Sequence, residues 1–327
     1  MFHRPGTHMR NRATAPDVSA RMTVRSRMLL GSFLPALILI AACSGSATPP
    51  PSPSPVSTGG PSPSAGPTDA PTQPPTGAIA HPTGATDVIL RFEEGGGFVP
   101  FGFLLTQAPE FTLYGDGTAV VRDLSQDALP DVAGVARVHP FRTVTLTEAD
   151  VQALLSFALL DGGLGRARPA YEHNQVHAPS ASFTIDADGV RRVVDVYALG
   201  FEGAPPADTD ARRAFVALAE RLRELAASPT FATETYEPHG YRAVLTEGFP
   251  GNPERPWPWT DIDPDTFGPR DPNGSGFLLI QRALTPDQMA AVGVPGLEGG
   301  LLNVMLRADD GTLYALSTRP LLPDETE

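Results

Sequence analysis

From Thr86 onward, apolar and polar residues alternate in short runs that glycine, aspartate and proline interrupt. A period of two predicts half-buried strands. Residues 87–92 read as the first strand and 101–106 as a second. Phe111-Thr112-Leu113-Tyr114 and Thr118-Ala119-Val120-Val121 flank Gly115-Asp116-Gly117, a turn that needs positive φ, so they predict a hairpin. A further strand falls near Thr143-Val144-Thr145. The period then changes. Val151, Leu154, Leu155, Ala158 and Leu159 recur at helical spacing behind Thr147, an N-cap with Asp150 at the capping-box position, and Gly162-Gly163 ends the helix. A second hairpin is expected from 181–185 and 192–198 around Asp188-Gly189. A second helix is expected from a Thr209 cap to Ala227, with Phe215, Leu218, Leu222 and Leu225 inward and Arg212, Arg213, Glu220, Arg223 and Glu224 outward. Ser228-Pro229 stops it.

Residues 241–246 read as a strand, 249–275 as a long loop rich in proline, glycine and aspartate, and 277–282 as another strand. Thr285-Pro286-Asp287-Gln288 starts a short helix with proline in its first turn. Residues 300–307 and 312–318 form a last hairpin around Asp310-Gly311. Hairpins outnumber helical crossovers, so the expected fold is α+β: antiparallel, hairpin-rich sheets packed with two main helices. The order strand, Leu-Thr-capped helix, Asp-Gly hairpin occurs at Leu146-Thr147 and again at Leu284-Thr285. That raises two similar halves as one reading of the domain, with a division near 229–240. The two intervals differ.

Composition separates this region from what precedes it. Residues 44–85 carry Pro49-Pro50-Pro51, Pro74-Pro75 and many other prolines among Ser, Thr and Gly. Too few apolar side chains are present to offset ordering entropy. Such a segment is a solvated, polyproline-biased spacer whose full extension, at about 3.1 Å per residue, is roughly 130 Å. Ahead of it, Arg21, Arg25 and Arg27 lead into an apolar stretch from Met28 to Ile40. That stretch contains Pro35 and is too short to span a bilayer, which takes about 20 residues. It suits the apolar core of a secretory signal.

The stretch ends in Ile40-Ala41-Ala42-Cys43, and Cys43 is the only cysteine. This resembles the lipobox of bacterial lipoproteins. The resemblance implies cleavage between Ala42 and Cys43, a diacylglycerol thioether on the Cys43 sulfur, and acylation of the new amino terminus. Two or three buried acyl chains anchor stably where one is marginal. The expected location is the extracytoplasmic face of the cell membrane. Residues 1–42 are then the signal peptide, with Met22 the expected translation start, 43–85 the anchor and linker, and 86–327 the globular domain. With Cys43 consumed, the folded part has no thiol for redox or metal chemistry.

All 24 basic residues are arginine, and the net charge is −13. The leader through Ala42 holds six arginines and one aspartate, a contribution of +5, so the remainder carries −18. Nucleic-acid binding needs the opposite sign and is excluded as a partner class. An anionic bilayer repels such a domain, so its membrane contact runs through the lipid on Cys43. A cell-wall or envelope protein is the other partner class considered.

Candidate chemistry concentrates in the long loop, at Trp257-Pro258-Trp259-Thr260-Asp261-Ile262-Asp263-Pro264-Asp265. Asp261, Asp263 and Asp265 alternate as cation ligands do, but an EF-hand loop wants glycine at its sixth position and glutamate at its twelfth, where Thr266 and Pro272 stand. Local turn bonds beside prolines are the competing account. Trp257 and Trp259, the only tryptophans, suit stacking on sugar rings with the acids bonding hydroxyls; sealing a core is the alternative. His173 and His177 lack a third zinc ligand, so no metal site is nominated. His139 and His239 lack a neighbouring acid or hydroxyl that marks a triad. Asn273-Gly274-Ser275-Gly276 is not a nucleophile elbow, and Gly95-Gly96-Gly97 has no following Gly-Lys-Ser/Thr, so no phosphate cradle or cofactor is expected. No catalytic residue is nominated. The reading is a binding or scaffolding lipoprotein of the cell envelope, against an envelope hydrolase or a cation- or glycan-binding protein using Trp257 to Asp265.

Overall fold

Period-two segments become strands wherever a neighbouring strand can take their backbone groups. The computed structural model describes residues 77–99, 101–124, 130–228, 231–268, 279–296 and 298–326. In chain order these form β1 (Val88–Gly96), a short helix α1 (Phe101–Leu105), β2 (Phe111–Tyr114), β3 (Thr118–Arg122), β4 (Ala136–Arg137), β5 (Phe141–Thr145), α2 (Glu148–Leu159), β6 (Ala170–Tyr171), β7 (Pro179–Ala187), β8 (Val190–Tyr197) and α3 (Thr209–Ala227). Then come β9 (Thr233–Thr235), β10 (Tyr241–Glu247), β11 (Glu254–Pro256), β12 (Leu279–Leu284), α4 (Pro286–Ala290), β13 (Leu301–Leu302), β14 (Val304–Arg307) and β15 (Leu313–Pro320). Among the described residues, no helix is long and apolar enough to cross a membrane.

The first sheet has eight strands in the order β6-β8-β7-β1-β2-β3-β5-β9, antiparallel except where β6 meets β8. The second has five, β11-β14-β15-β10-β12, antiparallel except where β11 meets β14. A two-stranded ribbon, β4 with β13, ties residues from the two regions together. The fold is α+β, with hairpin-rich antiparallel sheets and two principal helices.

The hairpins follow from their turns. Gly117 takes φ +85° and Thr118 donates to the Asp116 side chain, closing the β2–β3 turn. Asp188 and Gly189 both take positive φ (52° and 71°), the conformation that matches strand twist in a two-residue turn. The α2 cap also forms as its residues dictate: the Thr147 hydroxyl accepts from the Asp150 amide and the Asp150 carboxylate accepts from the Thr147 amide. Thr285 and Gln288 make the same box at α4.

Alternation sorts the first sheet into two faces. Ala119 and Val121 of β3 join the core under α2 and α3, while Val120 points to a separate cluster with Tyr114, Phe141, Tyr236 and Leu322. The buried faces of α2 and α3 supply Leu154, Leu155, Phe215, Leu218 and Leu222 to the first of these. Each such side chain contributes about 1.5–3 kcal/mol by leaving water. The second sheet has its own core, centred on Leu245, Ile280, Leu306 and Leu316. All described residues belong to one compact unit, Ala70–Glu327.

Several expectations change. Residues 101–106 form a one-turn helix in place of a strand. The run is apolar at every spacing, so periodicity cannot arbitrate. Both sides of β1 are already occupied, by β2 and β7, so no ladder is free for it there. The α3 cap lies one residue earlier, at Asp208. Arg212, expected outward, is 5% exposed. Its guanidinium donates to the carbonyls of Tyr171, Glu172, Tyr197 and Ala198, which β6 and β8 leave open at their ends. Arg223 is half-buried, bonded to Glu94 and Glu110. Docked chain begins before Thr86: Gln152 of α2 holds both the N–H and the carbonyl of Ile79, and Asp188 donates to the Ala80 carbonyl.

The repeated strand–helix–hairpin order is present locally. In the first sheet, though, the β7–β8 hairpin joins through its first strand, whereas β14–β15 joins its sheet through its second. The likeness of caps and turns therefore does not extend to strand order.

Candidate functional site: an aromatic cleft with a carboxylate rim

The long loop is not structureless. Glu254, Arg255 and Pro256 pair in parallel with Met305, Leu306 and Arg307. The ladder continues one bond further, with the Trp257 amide donating to the Arg307 carbonyl at 2.9 Å. This register lays Trp257 to Asp265 beside the Ala308–Gly311 turn of the β14–β15 hairpin.

The result is a cleft of about 520 Å³, walled by Trp257, Trp259 and Tyr314 and edged by Asp263, Asp265, Asp309 and Asp310. The volume lies within the range of small-molecule sites, about 300–1,000 Å³. Asp261 is exposed but does not line it. Among the described residues no basic side chain lines it either; the nearby Arg307 is engaged by Glu254 and the Gly311 carbonyl.

The aromatic wall is held from behind. The Trp259 ring is 6% exposed, and its indole N–H donates to the Gln288 carbonyl at 2.8 Å. Trp257 is half-buried and donates to the Ile262 carbonyl at 2.6 Å. The two rings meet edge to face at 5.0 Å, and Trp257 meets Tyr314 the same way at 5.9 Å. Phe267, fully buried, packs against both indoles. Trp259 therefore seals the second core, and Trp257, packed against that core, also lines the cleft.

The carboxylates are positioned by turns. Asp263 caps a short 3-10 turn, Pro264–Thr266, by accepting from the Asp265 amide at 2.8 Å. Asp310 accepts from the Thr312 amide at 2.8 Å and from its hydroxyl at 3.0 Å, bonds that hold its carboxyl below the usual carboxylate range. Local turn bonding thus accounts for where these acids sit. Their convergence on one cleft comes from the β11–β14 ladder. Asp309, Asp310 and Tyr314 were legible only as a turn and a strand; their positions in sequence carry no signal that they face the tryptophan loop.

The other candidates stay apart from this cleft. His173 accepts at one ring nitrogen from the Gln175 amide and bonds the Glu202 carbonyl through the other. His177 meets the Phe98 ring edge-on. His239 bonds the Glu325 carbonyl. Among the described residues, no group of three or more His, Cys, Asp or Glu is arranged to hold a metal ion. Asn273-Gly274-Ser275-Gly276, Ala42 and Cys43 lie outside the described residues.

Comparison of this chain with protein-family profiles, with curated proteins and with solved structures finds no match.

Proposed function

We propose that this chain is a lipid-anchored, extracytoplasmic binding protein that presents the Trp257–Asp310 cleft on a long tether. Two features support the anchor: Cys43 behind Ile40-Ala41-Ala42, and the proline-rich spacer that follows. The observation that carries the binding role is the cleft itself, where flat aromatic walls meet four carboxylates with no basic side chain among the described lining residues.

That combination selects a ligand with positive charge on a ring-shaped body. Aromatic faces attract a cation through their quadrupole and cover an apolar ring face. Carboxylates accept from ammonium and hydroxyl groups. An amine-bearing sugar unit uses both features, and a cell-wall polymer would offer such units within reach of the tether.

Both tryptophans belong to the cleft, so intrinsic fluorescence reports on this site alone. Oligomers of glucosamine should change the emission with saturation, and their N-acetylated forms should not. Trp257→Ala should abolish the change and also lower the thermal midpoint, because its ring packs on Trp259 and Phe267; Asp309→Asn, at an exposed rim position, should weaken the response with the midpoint nearly constant. Equal response to acetylated and free-amine oligomers would replace the cationic reading with a neutral-glycan one; no response to either removes the binding role. Independently, Cys43→Ser should release the protein from membranes and end palmitate incorporation. Retention on membranes refutes the anchor.

A further inference from the structure

Past the end of β15 the chain continues as a short strap, residues 321–326, that touches both sheets. The Leu321 amide donates to the Gly240 carbonyl at 2.9 Å, and the Tyr236 hydroxyl donates to the Leu321 carbonyl at 2.7 Å. Leu322 is buried and completes the cluster that Tyr114, Val120 and Phe141 form on the second face of the first sheet.

Two adjacent carboxylates of the strap then serve different sheets. Asp324 accepts from Arg91 of β1 at 2.6 Å and from the Tyr114 hydroxyl of β2 at 2.7 Å, both in the first sheet. Glu325 accepts from Arg319 of β15, in the second sheet, and from the Leu322 amide, which closes the strap on itself. Glu325 thus seats the strap, and Asp324 carries it across. By comparison, the β4–β13 ribbon pairs two residues of each strand, and α1 lays a single turn against β10 and β15.

We propose that residues 321–326 are a strap that locks two separable folding units together, the helical sheet and the tryptophan sheet, with Asp324 as the tie. Each sheet has its own buried core, so each can stay ordered when the other opens. A carboxylate that accepts from a guanidinium and a buried hydroxyl at once is a strong link, because its charge strengthens both bonds. Opening the strap frees the half that carries the cleft and leaves α2 and α3 in place. This proposal does not depend on the ligand of the cleft.

Urea unfolding of the full chain, carrying Cys43→Ser so that it has no acyl group, tests the tie with two probes. Both tryptophans belong to the second core, and α2 and α3 pack on the first, so fluorescence follows one half and helical ellipticity the other. In the parent the two transitions should coincide, as in one cooperative unit. Asp324→Ala should separate their midpoints by about 0.5 M urea or more, and Arg91→Gln, on the other side of the tie, should do the same. Thr147→Ala weakens the α2 cap alone and should lower both midpoints together, which distinguishes a lost tie from lost stability. Coincident transitions in Asp324→Ala overturn the strap, wherever their midpoint lies. So do separate transitions in the parent, where the strap is closed. Should Asp324→Ala fail to fold, Asp324→Asn decides: its amide oxygen keeps an acceptor for Tyr114 but gives up the ion pair, and coincident transitions in that variant refute the tie.

Discussion

Glu325→Gln should destabilise the protein more than any other conservative change near the end of the described chain. Arg319 lies on β15 and is 3% exposed. Both its terminal nitrogens donate to the Glu325 carboxylate at 2.6 Å, a two-pronged pair. The same carboxylate accepts from the Leu322 amide at 2.9 Å, and Arg242 of β10 stands 3.7 Å away. The amide replacement keeps the shape but leaves two guanidinium groups facing no anion. Breaking a fully buried pair costs about 3–5 kcal/mol. Glu325 retains 17% side-chain exposure, and water there lowers the expected cost to about 2–4 kcal/mol. Urea unfolding measures it as a lower midpoint with an unchanged slope. Replacing both partners by apolar residues, Arg319→Met with Glu325→Leu, should recover most of the loss, because the buried charge is then gone and the remaining Arg242 is partly exposed to water. Burial raises the Glu325 carboxyl pKa, but the bonds and charge of Arg319, with help from Leu322 and Arg242, hold it below the usual carboxylate range. A depressed folded-state pKa stabilises fully above the unfolded value, about 4.3, and the contribution fades as pH falls toward the folded one. The parent protein should therefore lose stability below about pH 4.3 more steeply than Glu325→Gln. A cost under about 0.5 kcal/mol for Glu325→Gln, or parallel acid profiles, would show that solvent screens the pair as it does on a surface.

Arg212→Met should cost about 2–4 kcal/mol in chemical unfolding, because four strand-end carbonyls lose a charged donor together. Thr147→Ala should cost about 1 kcal/mol by removing the α2 capping box, and Thr147→Ser should restore most of it. Gly115→Ala should lower the thermal midpoint, since the added methyl strikes the Pro82 carbonyl where the docked entry segment crosses the β2–β3 turn. Tyr114 and Tyr236, whose hydroxyls are buried against Asp324 and the Leu321 carbonyl, should stay protonated in alkali where ordinary tyrosines ionise near pH 10, read by ultraviolet titration.

How much could be read in advance depended on the range of the interaction. The Gly115-Asp116-Gly117 and Asp188-Gly189 turns, both capping boxes and the five inward residues of α2 were all visible, because each is decided within a few residues. Arg212 was not. Its position on the helix wheel, next to Arg213, suggested solvent, and only the carbonyls of β6 and β8 explain its burial. The tryptophan loop was recognisable as a candidate from its composition. Its shape was not, since the strand β11 inside it exists only through pairing with β14.

The amino-acid order alone thus determined the hairpins, the helix caps, the α+β character and the acidity of the domain, because turn geometry, helical period and charge are local or additive. Folding in three dimensions decided which acids share a cleft with the tryptophans and which arginines are buried. Those outcomes depend on contacts between residues far apart in the chain, whose cost in chain entropy is met only when whole sheets assemble.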